Sequence, residues 1–254
     1  NDLTGAGLHP LDVLLPIGIS FFSFTQIAFL VDARHGRAAD VGLWRYTLFA
    51  SYFPYIVAGP VLNHKDLLPQ FADRRNYFFS AENLAVGLSL FTLGLAKKLL
   101  IADNLVPVVD AGLSGDDPQL LAAWIGILAY SFQLYFDFSG YSDMAIGVSR
   151  MLGLQIPFNF DSPYKSTNVS EFWTRWHISL SRFLRNYLYI PLGGNRHGQF
   201  NRYRNLMLTM LLGGLWHGSN WTFVIWGGLH GLYLCVQHGW QTWRGEGRPA
   251  PTRA

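Results

Sequence analysis

The chain has 254 residues, a formal net charge of +3, 14% charged and 50% hydrophobic residues, and nine Trp. An ordinary soluble domain is roughly 25% charged, so this composition favours a polytopic membrane protein over a soluble enzyme. No dense Lys/Arg block argues for nucleic-acid binding, and the single Cys235 excludes an internal disulfide framework and a Cys-X-X-Cys metal or redox site.

Asn1–Pro10 is polar and lacks the charged and apolar regions of a signal peptide. One large unit over 1–254 is expected, closed by a polar tail, Arg244–Ala254. The abrupt start and polar end read as a piece of a longer membrane protein. Leu11–Val31 is long and apolar enough for a first span, with Pro16 and Gly18 near its start. Asp32–Arg37 reads as a polar loop. Leu43–Leu62 is a second candidate span, broken or re-entrant at Pro54 and Ala58-Gly-Pro60. Asn63–Asn76 is polar and belongs at or outside the interface.

Leu84–Ile101 is a third span, closed by Lys97-Lys98 and Asp103, an end that the positive-inside tendency makes cytoplasmic. Leu120–Phe138 is a fourth. It runs into Ser139-Gly-Tyr-Ser-Asp143 and a further apolar turn to Leu154. Ile156–Val169 is loop-like. Glu171–Ile190 is predicted as one helix, with Arg175, Ser179 and Arg182 on one face and His177, Ser181 and Arg185 on the next. Such a basic, aromatic helix lies along the interface or lines a wet cavity. Pro191-Leu-Gly-Gly194 stops it. Asn195–Arg204 is a basic, cytoplasmic loop, and Leu206–Leu215 and Trp221–Val236 are two more apolar segments.

His217 lies between those last segments. No Asp, Glu, Lys or Arg occurs from Asn205 to Trp243, and an ionisable group in so apolar a run is a functional candidate. Its imidazole suits general acid–base transfer to or from a hydroxyl, and Gly213, Gly214 and Gly218 leave room for close approach. The structural alternative is a hydrogen-bonded histidine between packed helices. His177 is the second candidate; on a polar helix it needs no special role. Neither histidine has other ligands at a metal spacing. His230 and His238 share a helix and are left unassigned, and His9, His35, His64 and His197 read as solvated loop residues. Gln133, Tyr135, Asp137, Ser139 and Asp143 form a stretch rich in hydrogen-bonding groups. It either lines a substrate tunnel or, through Asp137 or Ser139, caps a helix near Tyr141. Arg175, Arg182 and Arg185 could meet an anionic donor or lipid head groups.

Glu171–Gly194 followed by Leu211-Leu-Gly-Gly-Leu-Trp-His-Gly218 resembles the membrane-bound O-acyltransferase (MBOAT) family, in its bacterial polymer-modifying branch. Pro16–Phe22, Ala58-Gly-Pro60 and Tyr135–Gly147 are similar to the same branch, and Pro191-Leu-Gly-Gly194 tilts the match to alginate-type acetylation proteins. The resemblance covers nearly the whole chain. It implies an all-α, polytopic membrane helix bundle with re-entrant and interfacial helices around a tunnel, in the bacterial inner membrane.

It implies further that His217 matches the family histidine and His177 the more variable second position. Arg175, Trp176, Trp216 and Asn220 then join Gln133–Asp143 as substrate or tunnel lining. An acyl group would pass from a thioester donor such as acetyl-CoA towards a polysaccharide hydroxyl, by way of periplasmic acetylation proteins. His217 would act as general base, and His177 would orient it or hydrogen-bond the oxyanion. A membrane transporter or a scaffold without covalent chemistry stays open beside the enzyme.

Overall fold

The computed structural model describes residues 18–38, 41–56, 59–113 and 119–245. All regular elements there are helical. The longest is a helical hairpin. Its first arm joins α4 (Ala81–Ala96) through a π-helical turn, 97–102, to α5 (Asp103–Leu113); its second arm is α6 (Leu120–Met151). Each arm is long and apolar enough to cross a membrane. At 1.5 Å per residue, 33 residues reach about 50 Å, well beyond a hydrocarbon core of about 30 Å.

The arms pack closely because glycines face each other. A Cβ on Gly87 would lie 2.6 Å from the Gly147 carbonyl oxygen, and one on Gly140 would lie 2.7 Å from that of Gly94. Small residues let backbones approach where no water drives association.

The charges at the middle of this hairpin are paired. Lys97 meets Asp143 at 2.5 Å, and Lys98 meets Asp103 at 2.6 Å and Asp137 at 2.7 Å. The lysine pair therefore does not end the helix. It sits inside a continuous helical arm, neutralised across the hairpin. For the same reason the stretch around Ser139 is no helix start: α6 runs through it unbroken.

Before the hairpin come α1 (Ile19–Arg34), α2 (Leu43–Ala50) and α3 (His64–Ala72). Pro16 lies outside the described residues. The expected second span is indeed broken: α2 covers two turns, a 3-10 turn follows at Phe53–Tyr55, and residues 59–63 are not helical. Asn63 starts α3 by accepting a hydrogen bond from Lys65 N. α1 buries Thr25, Ala28, Phe29 and Asp32, a helical stripe, and Phe29 joins Phe49, Tyr55, Leu62, Leu67 and Ile146 in one core.

Asp32 is fully buried. It pairs with Lys65 at 2.8 Å and Arg37 at 2.9 Å and accepts a hydrogen bond from Tyr187 Oη at 2.9 Å. Burial pushes this carboxyl up, but the Lys65 and Tyr187 contacts outweigh it and hold the group below its ordinary value. His64, expected to be solvated, is buried against Phe29 and Phe49, with Asp32 3.9 Å away. The first turn of α3 packs inward onto α1 there.

The C-terminal part holds α7 (Val169–Arg175), α8 (Ile178–Leu184) with a π-helical extension to Tyr189, α9 (Gly198–His217) and α10 (Trp221–Trp243). Two expectations change. Glu171–Ile190 is two helices, broken at Trp176-His177, so Arg175 does not share a face with Ser179 and Arg182. The supposed basic loop Asn195–Arg204 ends early: residues from Gly198 already form the first turns of α9. Asn220 caps α10 by accepting from Thr222 N at 3.1 Å.

α9 and α10 form a second hairpin around another glycine contact, where a Cβ on Gly214 would lie 3.1 Å from Gly227 Cα. The many exposed aliphatic and aromatic side chains on α4–α6 and α10 suit a lipid-facing surface.

Candidate active site at the junction of α6, α8, α9 and α10

His177 sits in the break between α7 and α8. It has φ 43° and ψ 54°, a left-handed conformation that costs a non-glycine residue free energy. The conformation is held by the loop 159–161, which runs alongside the break. Ile178 N donates to Asn159 O at 2.9 Å, and Asp161 N donates to Arg175 O at 2.9 Å. The side chain of His177 is 2% exposed. Its Nδ1 meets Asn159 Oδ1 at 3.2 Å, and its Nε2 has no hydrogen-bond partner. Phe138 of α6 stands edge-on to the ring at 4.7 Å, and Phe21 of α1 stacks at 6.3 Å.

His217 is the last residue of α9. Its Nδ1 donates to the carbonyl of Gly213, one turn back, at 2.8 Å. Trp216, Trp226 and Phe223 surround the ring at 4.7, 5.0 and 6.3 Å.

The two histidines, from different elements, line one cavity of about 520 Å³. Its other walls include Tyr130, Leu134 and Phe138 of α6, Trp176, Trp216 and Trp226. Trp216 bridges the pair, with its ring 6.3 Å from His177 and 4.7 Å from His217. His217 and Trp226 also line a second cavity of about 250 Å³, walled by α8, α9 and α10 and carrying Arg185 and His238. His217 thus stands where two largely apolar chambers meet.

Of the residues expected at the site, His177, His217, Trp176 and Trp216 line the larger cavity. The others are placed elsewhere. Tyr135 packs in an aromatic cluster with Phe160, Tyr164 and Trp176, directly behind the cavity wall. Ser139 is fully buried and its Oγ has no partner. Asp137 and Asp143 are engaged by Lys98 and Lys97. Arg175 is held by Glu171 at 2.9 Å, with Asp161 at 3.5 Å. Asn220 serves as the α10 cap, and Gln133 is half-buried on α6.

Sequence reasoning passed over Phe21, Phe138 and Trp226, apolar residues with nothing to distinguish them from core. It also passed over Asn159, one asparagine among several in a loop. Among the described residues no group of three or more His, Cys, Asp or Glu side chains is placed to hold a metal ion.

The model of the family described as MBOAT, membrane-bound O-acyltransferase, matches residues 17–246. The chain belongs to this family. It is 50% identical over 239 residues to a "probable alginate O-acetylase" of Azotobacter vinelandii, covering 92% of this chain and 47% of that protein. It is 46% identical over 252 residues to a peptidoglycan O-acetyltransferase of Helicobacter pylori, covering 89% and 48%. A teichoic acid D-alanyltransferase of Streptococcus thermophilus is more distant, at 28% over 238 residues, with 88% and 57% covered. The chain spans about half the length of these MBOAT relatives. The all-α membrane architecture expected from the sequence stands with this membership.

Proposed function

We propose that this chain carries the acyl-transfer centre of a multi-pass O-acyltransferase in the bacterial inner membrane, with His217 as general base. The observation that carries the reading is the placement of His177 and His217, from separate elements, on one apolar cavity. With Nδ1 donating to Gly213 O, neutral His217 keeps a lone pair on Nε2. That lone pair is what a general base needs to accept the proton of a hydroxyl as its oxygen attacks a thioester carbonyl. The apolar walls keep water away from the activated donor and so suppress its hydrolysis.

Acetyl is the favoured acyl group and a cell-surface glycan the favoured acceptor. The relatives at 46–50% identity are named for O-acetylation of alginate or peptidoglycan, whereas the D-alanyltransferase stands at 28%. The donor is a thioester such as acetyl-CoA, and periplasmic acetylation proteins would receive or place the group.

The two chambers meeting at His217 offer donor and acceptor separate approaches to one base. Replacing His217 by Ala in the complete protein tests this in cells. Loss of polymer O-acetylation at an unchanged protein level is expected; normal acetylation would remove His217 from the chemistry. A non-enzymatic transporter or scaffold would likewise tolerate the change.

A further inference from the structure

Asn159 is buried to 1% exposure, and both polar atoms of its side chain have partners. Three groups approach its Oδ1: Ser179 N at 3.2 Å, Ser179 Oγ at 2.8 Å and His177 Nδ1 at 3.2 Å. Its Nδ2 points to Ser142 Oγ of α6 at 3.3 Å. The amide orientation follows from chemistry. Ser179 N–H can only donate, so the atom facing it must be the oxygen; a flipped amide would set donor against donor.

With the oxygen fixed, Nδ1 of His177 must carry a proton, because a bare nitrogen would set lone pair against lone pair. Ser179 is fixed in turn, since its Oγ accepts from Val61 N at 2.8 Å and spends its own proton on Asn159. A neutral ring protonated at Nδ1 has only a lone pair at Nε2. A doubly protonated ring would put an unpaired charge among Phe21, Phe138 and Trp216, which is costly.

We propose that Asn159 is the positioning residue that fixes the tautomer of His177, with its proton on Nδ1 and a lone pair on Nε2, so that His177 cannot donate to the oxyanion. This rests on the acyl-transfer reading above and deepens it. Nε2 of His177 is an acceptor without a partner, and Nε1 of Trp216, on the same cavity, is a donor without one. Their rings lie 6.3 Å apart. An oxyanion could accept from the indole but would meet a lone pair on the imidazole. His217, also protonated at Nδ1, keeps the Nε2 lone pair that takes the proton of the attacking hydroxyl.

The test is 15N NMR of histidine-labelled complete protein in lipid bilayers, with His177 assigned by difference from His177→Asn. The wild-type spectrum is expected to show His177 protonated at Nδ1 and bare at Nε2. Asn159→Leu, which keeps the volume but removes the acceptor, should shift His177 to a mixture of tautomers and lower kcat. A second-layer partner that orients a histidine is worth on the order of 10–100-fold in the metal sites where it has been measured. Asn159→Asp, which keeps an acceptor oxygen, should retain the Nδ1 proton.

A proton on Nε2 in the wild type would overturn the proposal, as would an unchanged tautomer in Asn159→Leu or loss of the Nδ1 proton in Asn159→Asp. If Asn159→Leu does not fold, the other two spectra decide. These spectra report on Asn159 whatever the activity of His217→Ala, so failure of the lock is distinct from failure of the acyl-transfer reading.

Discussion

Gly214 of α9 and Gly227 of α10 meet backbone to backbone, and a Cβ on Gly227 would run into the carbonyl of Met210. The contact lies three residues before His217 and one after Trp226, so it sets how the two chambers join. Gly227→Val should push the hairpin apart and move His217 from Trp226. Overpacking of this kind costs about 1–3 kcal/mol or more. Thermal unfolding in detergent should show the loss of stability, and acyl transfer should fall with it. A stable, fully active Gly227→Val protein would show that the hairpin spacing does not matter.

Lys97 and Asp143 form a partly buried pair at mid-hairpin, with 30% and 18% of their side chains exposed. Breaking a fully buried pair costs about 3–5 kcal/mol, so a smaller loss, about 1–3 kcal/mol, is expected here from Asp143→Leu. Adding Lys97→Met to Asp143→Leu should recover most of it, because no charge is then left unpaired. A double-mutant cycle in lipid measures this. Equal losses from the single and double changes would mean that the pair is not the relevant interaction.

Asp32 carries a pH dependence of known sign. Its carboxyl is held below the ordinary value by Lys65 and Tyr187 despite burial. Its contribution is therefore present above the unfolded-state value near 4 and is lost as pH falls through the lower folded-state value. Asp32→Asn should remove that contribution at neutral pH, leaving Arg37 and Lys65 without their shared partner. Unfolding followed from pH 7 into acid should then show a shallower acid loss in the variant than in the wild type. Parallel curves would contradict the assignment.

The helical class was legible in the long apolar runs, and the uncharged run around one imidazole singles out His217, which shares a cavity with His177. Helix breaks marked by proline were legible too, as between α2 and Asn63. Breaks and continuities decided by tertiary contacts were not. Lys97-Lys98 looks like the end of a span in sequence, but the helix runs on, with both lysines paired to carboxylates of α6 across the hairpin. Conversely, Trp176-His177 has good helical periodicity, and the break there is imposed by hydrogen bonds from the loop 159–161. That same loop carries Asn159, and nothing within its own stretch of sequence reports its contact with His177. His64 shows the same limit: a polar stretch hides a residue whose burial depends on α1 and α2.

His217 is proposed to perform base-assisted acyl transfer. Its most direct measurement uses purified complete protein in lipid, a thioester carrying radiolabelled acetyl, and a glycan acceptor. The wild type should transfer label to the acceptor oxygen, and His217→Ala should fall by about 10²–10⁴-fold, the usual contribution of a positioned general base. Equal transfer by the wild type and His217→Ala would contradict the account.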